Sequence, residues 1–186
     1  MRILMAILAL GFVPAAHAET DLERGLRGAL TGCETWILDP ASWNKGPAPF
    51  VAKVGLGAKM GLVDRAEEVN LPPPALRDAN HYWRINSTAT SGYVLVVSDR
   101  LPMCHITGGG AADLQPAAET VLSSADFNAR WEKRESVTAK GMVSTVYRNR
   151  TDPLLSIRIS RADKPGQRTD HVQLIATAVY RVEPKR

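Results

Sequence analysis

Long apolar runs are nearly absent from this chain of 186 residues. The only one, residues 3–13, is too short to cross a bilayer, which takes about 20 residues. Internal repeats and low-complexity tracts are also missing, and the composition is ordinary for a globular protein. We therefore expect no transmembrane anchor and no wholesale disorder.

Motifs for metals, cofactors and catalysis are missing as well. Beyond the first residues, His81, His105 and His171 lie far apart, and none has another His, Cys or carboxylate at metal-ligand spacing. The glycines at 108–110 lack the Lys-Ser/Thr that follows a phosphate-binding loop, so we interpret them as a turn from a strand into a helix. The sequence thus predicts no cofactor and no metal site, and it identifies no catalytic residue.

The N-terminus has the features of a secretory signal peptide. A positively charged start precedes the apolar run, and the small residues Ala16 and Ala18 occupy the positions that a signal peptidase reads. We predict that residues 1–18 are a signal peptide, cut between Ala18 and Glu19. Residues 19–186 then form a single exported domain, located in the periplasm or secreted.

Cysteine is scarce, since only Cys33 and Cys104 occur. An oxidising compartment favours joining an even pair, so we predict a disulfide between them, with two free buried thiols as the alternative. His105 follows Cys104 in a predicted strand, where neighbouring side chains point to opposite faces. These two residues are therefore not expected to form a thiol–imidazole site.

Hydrophobic spacing predicts two helices. Thr20 and Glu23 have the spacing of a capping box, and apolar residues recur on one helical face as far as Ile37, which indicates an N-terminal helix that carries Cys33. A second helix is expected to begin at Pro116.

Short runs rich in β-branched and aromatic residues predict strands. They lie at residues 82–86, 93–98, 103–107, 130–137, 141–149, 154–160 and 172–182. The order is a helix, two or three strands, a second helix and then three or four strands, a ββαβββ-like run after the first helix. It predicts an α+β single domain, in which an N-terminal and a middle helix pack on a mainly antiparallel sheet. The last strand is apolar on both faces, so we place it near the centre. We interpret residues 39–50 as a loop and residues 71–74 as an extended connection.

One cysteine lies in the first mature helix and the other in the strand segment Pro-Met-Cys-His-Ile, residues 102–106. This pattern is similar to that of uncharacterised small exported proteins of Gram-negative bacteria. A helix and basic strands after the second cysteine add to the likeness, which covers most of the mature chain. The resemblance implies a disulfide-bonded exported protein without an assigned activity, and it transfers no functional residue.

Positive charge is concentrated in the last third of the chain. Residues 19–129 carry nine Lys/Arg and thirteen Asp/Glu, whereas residues 130–186 carry thirteen and six. Because Arg148, Arg158 and Arg161 stand near predicted strand ends and hairpins, we expect them to share one edge of the sheet. They would attract an anionic envelope component or an acidic protein, with an ordinary solvated surface as the alternative. Nucleic acid is not an expected partner of an exported protein.

These observations together predict a monomeric, non-enzymatic binding or accessory protein of the cell envelope. The alternative is a small hydrolase that acts on envelope material through residues that the sequence does not identify.

Overall fold

The structure is a computed structural model that describes residues 18–166 and 172–181. The predicted signal peptide, apart from Ala18, lies outside the described residues, and so do His171 and the basic residue Arg168. No helix in the described ranges has the length and apolar character that crossing a membrane requires.

Eight antiparallel strands form one sheet. Their bounds are β1 Met60–Val63, β2 Asn80–Asn86, β3 Ser91–Ser98, β4 Met103–Gly110, β5 Trp131–Ala139, β6 Met142–Asn149, β7 Leu155–Ala162 and β8 Val172–Tyr180. Their order across the sheet is β1-β2-β3-β4-β8-β7-β6-β5. The last strand therefore lies near the centre, as predicted.

The chain builds this sheet from two halves that have the same order of elements. Helices α1 (Asp21–Leu38) and α2 (Pro47–Val54) precede the meander β1–β4, and helices α3 (Gln115–Ser123) and α4 (Ala125–Arg130) precede the meander β5–β8. The last strands of the two meanders, β4 and β8, pair at the centre of the sheet. The predicted α+β domain with one antiparallel sheet is confirmed.

Helix α1 begins at the capping box that the sequence predicts. The Thr20 hydroxyl accepts from the backbone N–H of Glu23, and the Glu23 carboxylate accepts from the backbone N–H of Thr20. The helix lies close to the sheet, because a Cβ at Gly32 would be only 2.9 Å from the Leu95 side chain.

A disulfide between Cys33 and Cys104 joins the buried face of α1 to β4, with the two Cα atoms 5.4 Å apart. The predicted pairing is therefore present. The linked residues are 71 positions apart, and closing a loop of that length stabilises the fold by about 4 kcal/mol in the chain-entropy model.

The helices pack on one face of the sheet. Trp83, Leu95 and Ile106 lie in register across β2, β3 and β4 on that face, and each is at most 1% exposed. We call the opposite face the outer face.

The outer face is covered over β3 and β4, where Val96, His105 and Thr107 are also buried. Its cover is the connection between β1 and β2, residues 64–79, which we call the strap. Thr107 is hydrogen-bonded to Asn70 of the strap, and Pro72 of the strap is buried. The same face is more open over β8, where Ile175 and Val179 are 39% and 41% exposed.

Three local interpretations of the sequence need correction. Residues 39–50 are not all loop, because α2 begins at Pro47, a residue that suits the first turn of a helix. The edge strand β1 was not predicted, since its four residues are too few for a clear pattern. The glycines at 108–110 belong to β4 rather than to a turn. A Cβ at Gly108 would be 2.7 Å from the Tyr93 ring, and Gly110 has φ +124°.

Candidate functional site

A groove runs between the strap and the outer face of β2–β4. Its larger part has a volume of about 790 Å³ and its smaller part a volume of about 630 Å³. Four residues line both parts and mark where they meet: Glu67 and Asn70 of the strap, Arg84 of β2 and Val94 of β3. Small-molecule pockets commonly measure about 300–1,000 Å³, so each part has the size of a ligand site.

The floor of the larger part includes bare backbone. Gly92 of β3 pairs with Gly109 of β4, and both residues line the groove. A Cβ at Gly92 would be 2.1 Å from the carbonyl oxygen of Ile85, so a larger residue requires the backbone to move. Because neither of the paired glycines has a side chain, none projects from the sheet into this part of the groove.

Asn70 is held at the groove by the sheet beneath it. The Thr107 hydroxyl donates to Oδ1 of Asn70 at 2.7 Å, and Thr107 itself is 1% exposed. Because Oδ1 already accepts this hydrogen bond, the amide nitrogen of Asn70 brings two further N–H donors to the groove wall.

Glu67 and Arg84 bring opposite charges to the junction of the two parts, one from the strap and one from the sheet. Both side chains are exposed, and neither is hydrogen-bonded or ion-paired to another residue of the described ranges. Gly61 of β1 is the register partner of Arg84 and offers no side chain to it. Each charged group is free to bind a complementary group of a ligand.

His105 lies on the outer face of β4, two residues from Thr107. It is 4% exposed, and its Nδ1 is 2.8 Å from the Thr177 hydroxyl of β8. Burial lowers the pKa of His105 to about 4. The imidazole is therefore neutral at pH 7 and adds no positive charge to the outer face.

Two of the three arginines that the sequence predicts as a binding site lie together. Arg148 of β6 is in register with Ser156, and Arg158 of β7 is in register with Val146. The two arginines are therefore diagonal neighbours on the outer face, and both are exposed.

Arg161 lies on the helical face, so the structure does not bring it together with the other two. It is three residues from Arg158 in the same strand, and an odd spacing reverses the side. Its guanidinium is 3.3 Å from the Glu119 carboxylate of α3 and donates to Oε1 of Gln115 at 3.4 Å. These contacts join the middle helix to β7.

Part of the charge difference between the two segments is neutralised by ion pairs among the helices. Arg130, the last residue of α4, pairs with Glu34 of α1 and with Asp126 of α4. Acidic residues of the segment 19–129 thus pair with a basic residue of the segment 130–186.

An acidic side chain lies beside the two exposed arginines of the outer face. Glu132 of β5 is the register partner of Arg148 and pairs with Arg134 at 3.0 Å. The positive charge of this surface is therefore not continuous.

A carboxylate–imidazole pair lies where β2 meets the turn after β3. Nε2 of His81 is 2.7 Å from Oδ2 of Asp99, and the ring centroid of His81 is 5.0 Å from that of Trp43. A carboxylate in this position can orient an imidazole that acts as a base. In the described part of the chain, no hydroxyl or thiol is hydrogen-bonded to the other ring nitrogen.

The described residues form neither a thiol site nor a metal site. Cys33 and Cys104 are joined, so neither is a free thiol. Among residues 18–166 and 172–181, no three His, Cys, Asp or Glu side chains are grouped so that they could hold a metal ion.

Comparison with protein-family models, with curated proteins and with solved structures found no match. The groove is therefore a candidate site on its geometry alone.

Sequence reasoning did not identify Glu67, Asn70 or Arg84, because each is an isolated polar residue without a motif. The usable signals were indirect. Arg84 alternates with apolar neighbours in a strand and so points away from the core, and the prolines at 72–74 predict an ordered connection.

Proposed function

We propose that this chain is an exported, non-enzymatic binding protein of the cell envelope, and that its ligand occupies the groove between the strap and the outer face. The observation that carries the proposal is the groove itself. Its larger part has a volume of about 790 Å³ and bare backbone at Gly92, and around the half-buried Val94 it presents polar side chains that have no partner among the described residues. This combination of an apolar surface with a few convergent polar groups is typical of small-ligand sites.

The location in the envelope is supported by two observations. The disulfide between Cys33 and Cys104 is compatible with an oxidising compartment, whereas cytosolic proteins rarely keep such a bond. The sequence of residues 1–18 has the features of a secretory signal peptide. We therefore assign the chain to the small exported proteins that it resembles.

A variant that fills the groove tests the proposal. Val69 lines the groove and is 66% exposed, so Val69→Trp would occupy part of the groove at little cost to folding. The matched control is Val137→Trp on β5, where the valine is 50% exposed. Each protein is incubated with a low-molecular-mass extract of its own cell envelope and examined by native mass spectrometry. We expect a bound species on the unchanged protein and on the control variant, and its loss from Val69→Trp.

Two results would contradict this proposal. One is a bound species that Val69→Trp retains, which would place the site elsewhere. The other is the absence of any bound small molecule from the unchanged protein.

A second candidate function is binding of an anionic partner on the outer face at Arg148 and Arg158. The observation in its favour is that these exposed arginines are diagonal neighbours on adjacent strands. We rank it after the groove, because both arginines are exposed and contacts of exposed charges are individually weak.

A further inference from the structure

We infer that the groove binds a zwitterionic ligand, a free amino acid or a short peptide, with its carboxylate on Arg84 and its ammonium group on Glu67. The inference rests on the proposed function, because it names the ligand of the same groove.

The first reason is that two opposite charges at one junction have no partner among the described residues. Glu67 and Arg84 both line the junction of the two parts of the groove, yet neither side chain forms a salt bridge or a hydrogen bond in the described ranges. Arg84 belongs to a strand paired on both sides, and Glu67 lies three residues before Asn70, which is bonded to Thr107. The two charges thus belong to separate elements that the fold holds in place.

The second reason is that a ligand with both charges can pair with Glu67 of the strap and with Arg84 of the sheet. A purely anionic ligand on Arg84 would lie near the Glu67 carboxylate and be repelled by it. A purely cationic ligand on Glu67 would be repelled by Arg84 in the same way. A zwitterion removes both penalties, because each of its charged groups meets the opposite charge.

The third reason is the chemistry between the two charges. The N–H donors of the Asn70 amide have no acceptor among the described residues and can bind a carbonyl oxygen, and Val94 presents a half-buried apolar surface. An α-amino acid or a peptide offers a carbonyl oxygen and a short apolar side chain in the same molecule.

Three dipeptide probes that differ only in their terminal charges test the inference. L-alanyl-L-alanine carries both charges, N-acetyl-L-alanyl-L-alanine carries only the carboxylate, and L-alanyl-L-alaninamide carries only the ammonium group. Each is titrated into the isotope-labelled protein and followed by amide chemical shifts. We expect saturable shifts at Arg84, Val94 and residues 67–70 with the zwitterion, and at least tenfold weaker binding of each blocked probe.

Charge-removing variants assign each end of the ligand. In Arg84→Gln the zwitterion should bind no better than the amide probe, and binding of the amide probe should not weaken. In Glu67→Gln the zwitterion should bind no better than the acetylated probe. Lys133→Gln and Glu135→Gln, which change exposed residues of the same sheet outside the groove, are the matched controls and should leave all three affinities unchanged.

The outcomes separate this inference from the proposed function. Equal binding of the acetylated dipeptide and the zwitterion, with shifts at the groove, overturns the zwitterion and leaves a ligand-binding groove. Affinity that is unchanged in both Arg84→Gln and Glu67→Gln also overturns the inference. The absence of saturable shifts with all three probes overturns the inference as well. Native mass spectrometry with the envelope extract then decides the proposed function separately.

Discussion

The hydroxyl of Thr107, in β4, donates a hydrogen bond to Oδ1 of Asn70, in the middle of the strap, at 2.7 Å. These residues are 37 positions apart in the chain. Their contact fixes the distance between the strap and the outer face, and hence the width of the groove. The strap is therefore held against the sheet by a specific hydrogen bond.

Removing this hydroxyl should loosen the strap. Thr107→Val keeps the shape of the side chain but leaves Asn70 without its donor, which should lower the free energy of unfolding by about 1 kcal/mol. Hydrogen exchange measured by mass spectrometry should be faster across residues 68–76 and unchanged in α1. Thr145→Val is the control, since the Thr145 hydroxyl is bonded to Ser136, away from the strap. Unchanged exchange of the strap in Thr107→Val would show that this bond does not hold it.

Burial of His105 predicts a loss of stability in mild acid. Because burial lowers its pKa to about 4, the unfolded chain takes up a proton first as the pH falls. His105 therefore does not lower the free energy of unfolding above about pH 6.5. As the pH falls from there to about pH 4, the free energy of unfolding decreases progressively. A shift of this size corresponds to at most about 3 kcal/mol.

Chemical unfolding of His105→Gln at several pH values measures this contribution. The variant should lose less stability than the unchanged protein between about pH 6.5 and pH 4. His81→Gln, at the half-exposed pair with Asp99, is the control and should keep the acid dependence that His105 causes. Parallel pH profiles of the unchanged protein and His105→Gln would contradict the prediction.

The fold was predictable where local patterns and packing agree. Thr20 and Glu23 mark the start of α1, and the alternation of Ile157, Arg158 and Ile159 marks a half-buried strand. Each pattern is short in sequence and requires only that apolar side chains share one face. Helix α2 was not predicted, because its prolines are typical of a loop. Its buried residue Phe50 packs in the core.

The site was not predictable in the same way. The groove exists because the strap crosses the sheet and Asn70 meets Thr107, and no local pattern specifies such a long-range contact. The position of Arg161 was within reach of the sequence, however. The alternation that turns Arg158 outward turns Arg161 to the side of Ile157 and Ile159.

The predicted cleavage site is compatible with the start of α1. The Glu19 carboxylate is 2.9 Å from Nε of Arg27, and Thr20 caps the helix. Cleavage between Ala18 and Glu19 leaves both contacts intact, whereas cleavage after Thr20 would remove them. Intact-mass measurement of protein from the extracytoplasmic fraction should therefore give a chain that begins at Glu19. A chain in that fraction that retains residues 1–18 would contradict the signal peptide.

The two faces of β7 predict different roles for its arginines. Arg161→Ala removes the contacts with Glu119 and Gln115 and should lower the free energy of unfolding by about 1 kcal/mol. Arg158→Ala changes an exposed side chain and should alter stability by less than about 0.5 kcal/mol. Urea unfolding of both variants measures the difference. Equal effects would mean that the contacts of Arg161 do not stabilise the fold.

A charge reversal on the outer face tests the second candidate function. Arg148 and Arg158 are exposed and adjacent, so replacing both by Glu turns an attractive surface into a repulsive one. Exposed ion pairs contribute about 0.2–1 kcal/mol each, so binding to immobilised poly-L-glutamate at about 0.1 M salt should weaken about two- to thirtyfold. The control is the double change Lys45→Glu and Lys164→Glu, which alters the net charge equally at exposed loop positions.

The comparison between these double variants decides whether location or net charge matters. If Arg148 and Arg158 form the binding surface, the control variant should keep most of its affinity, because screening limits the reach of a charge to about 8–10 Å at ordinary salt. Affinity of the unchanged protein should also fall steeply as salt is added. Equal weakening in both double variants would mean that poly-L-glutamate responds only to net charge, and the two arginines would then be an ordinary solvated surface.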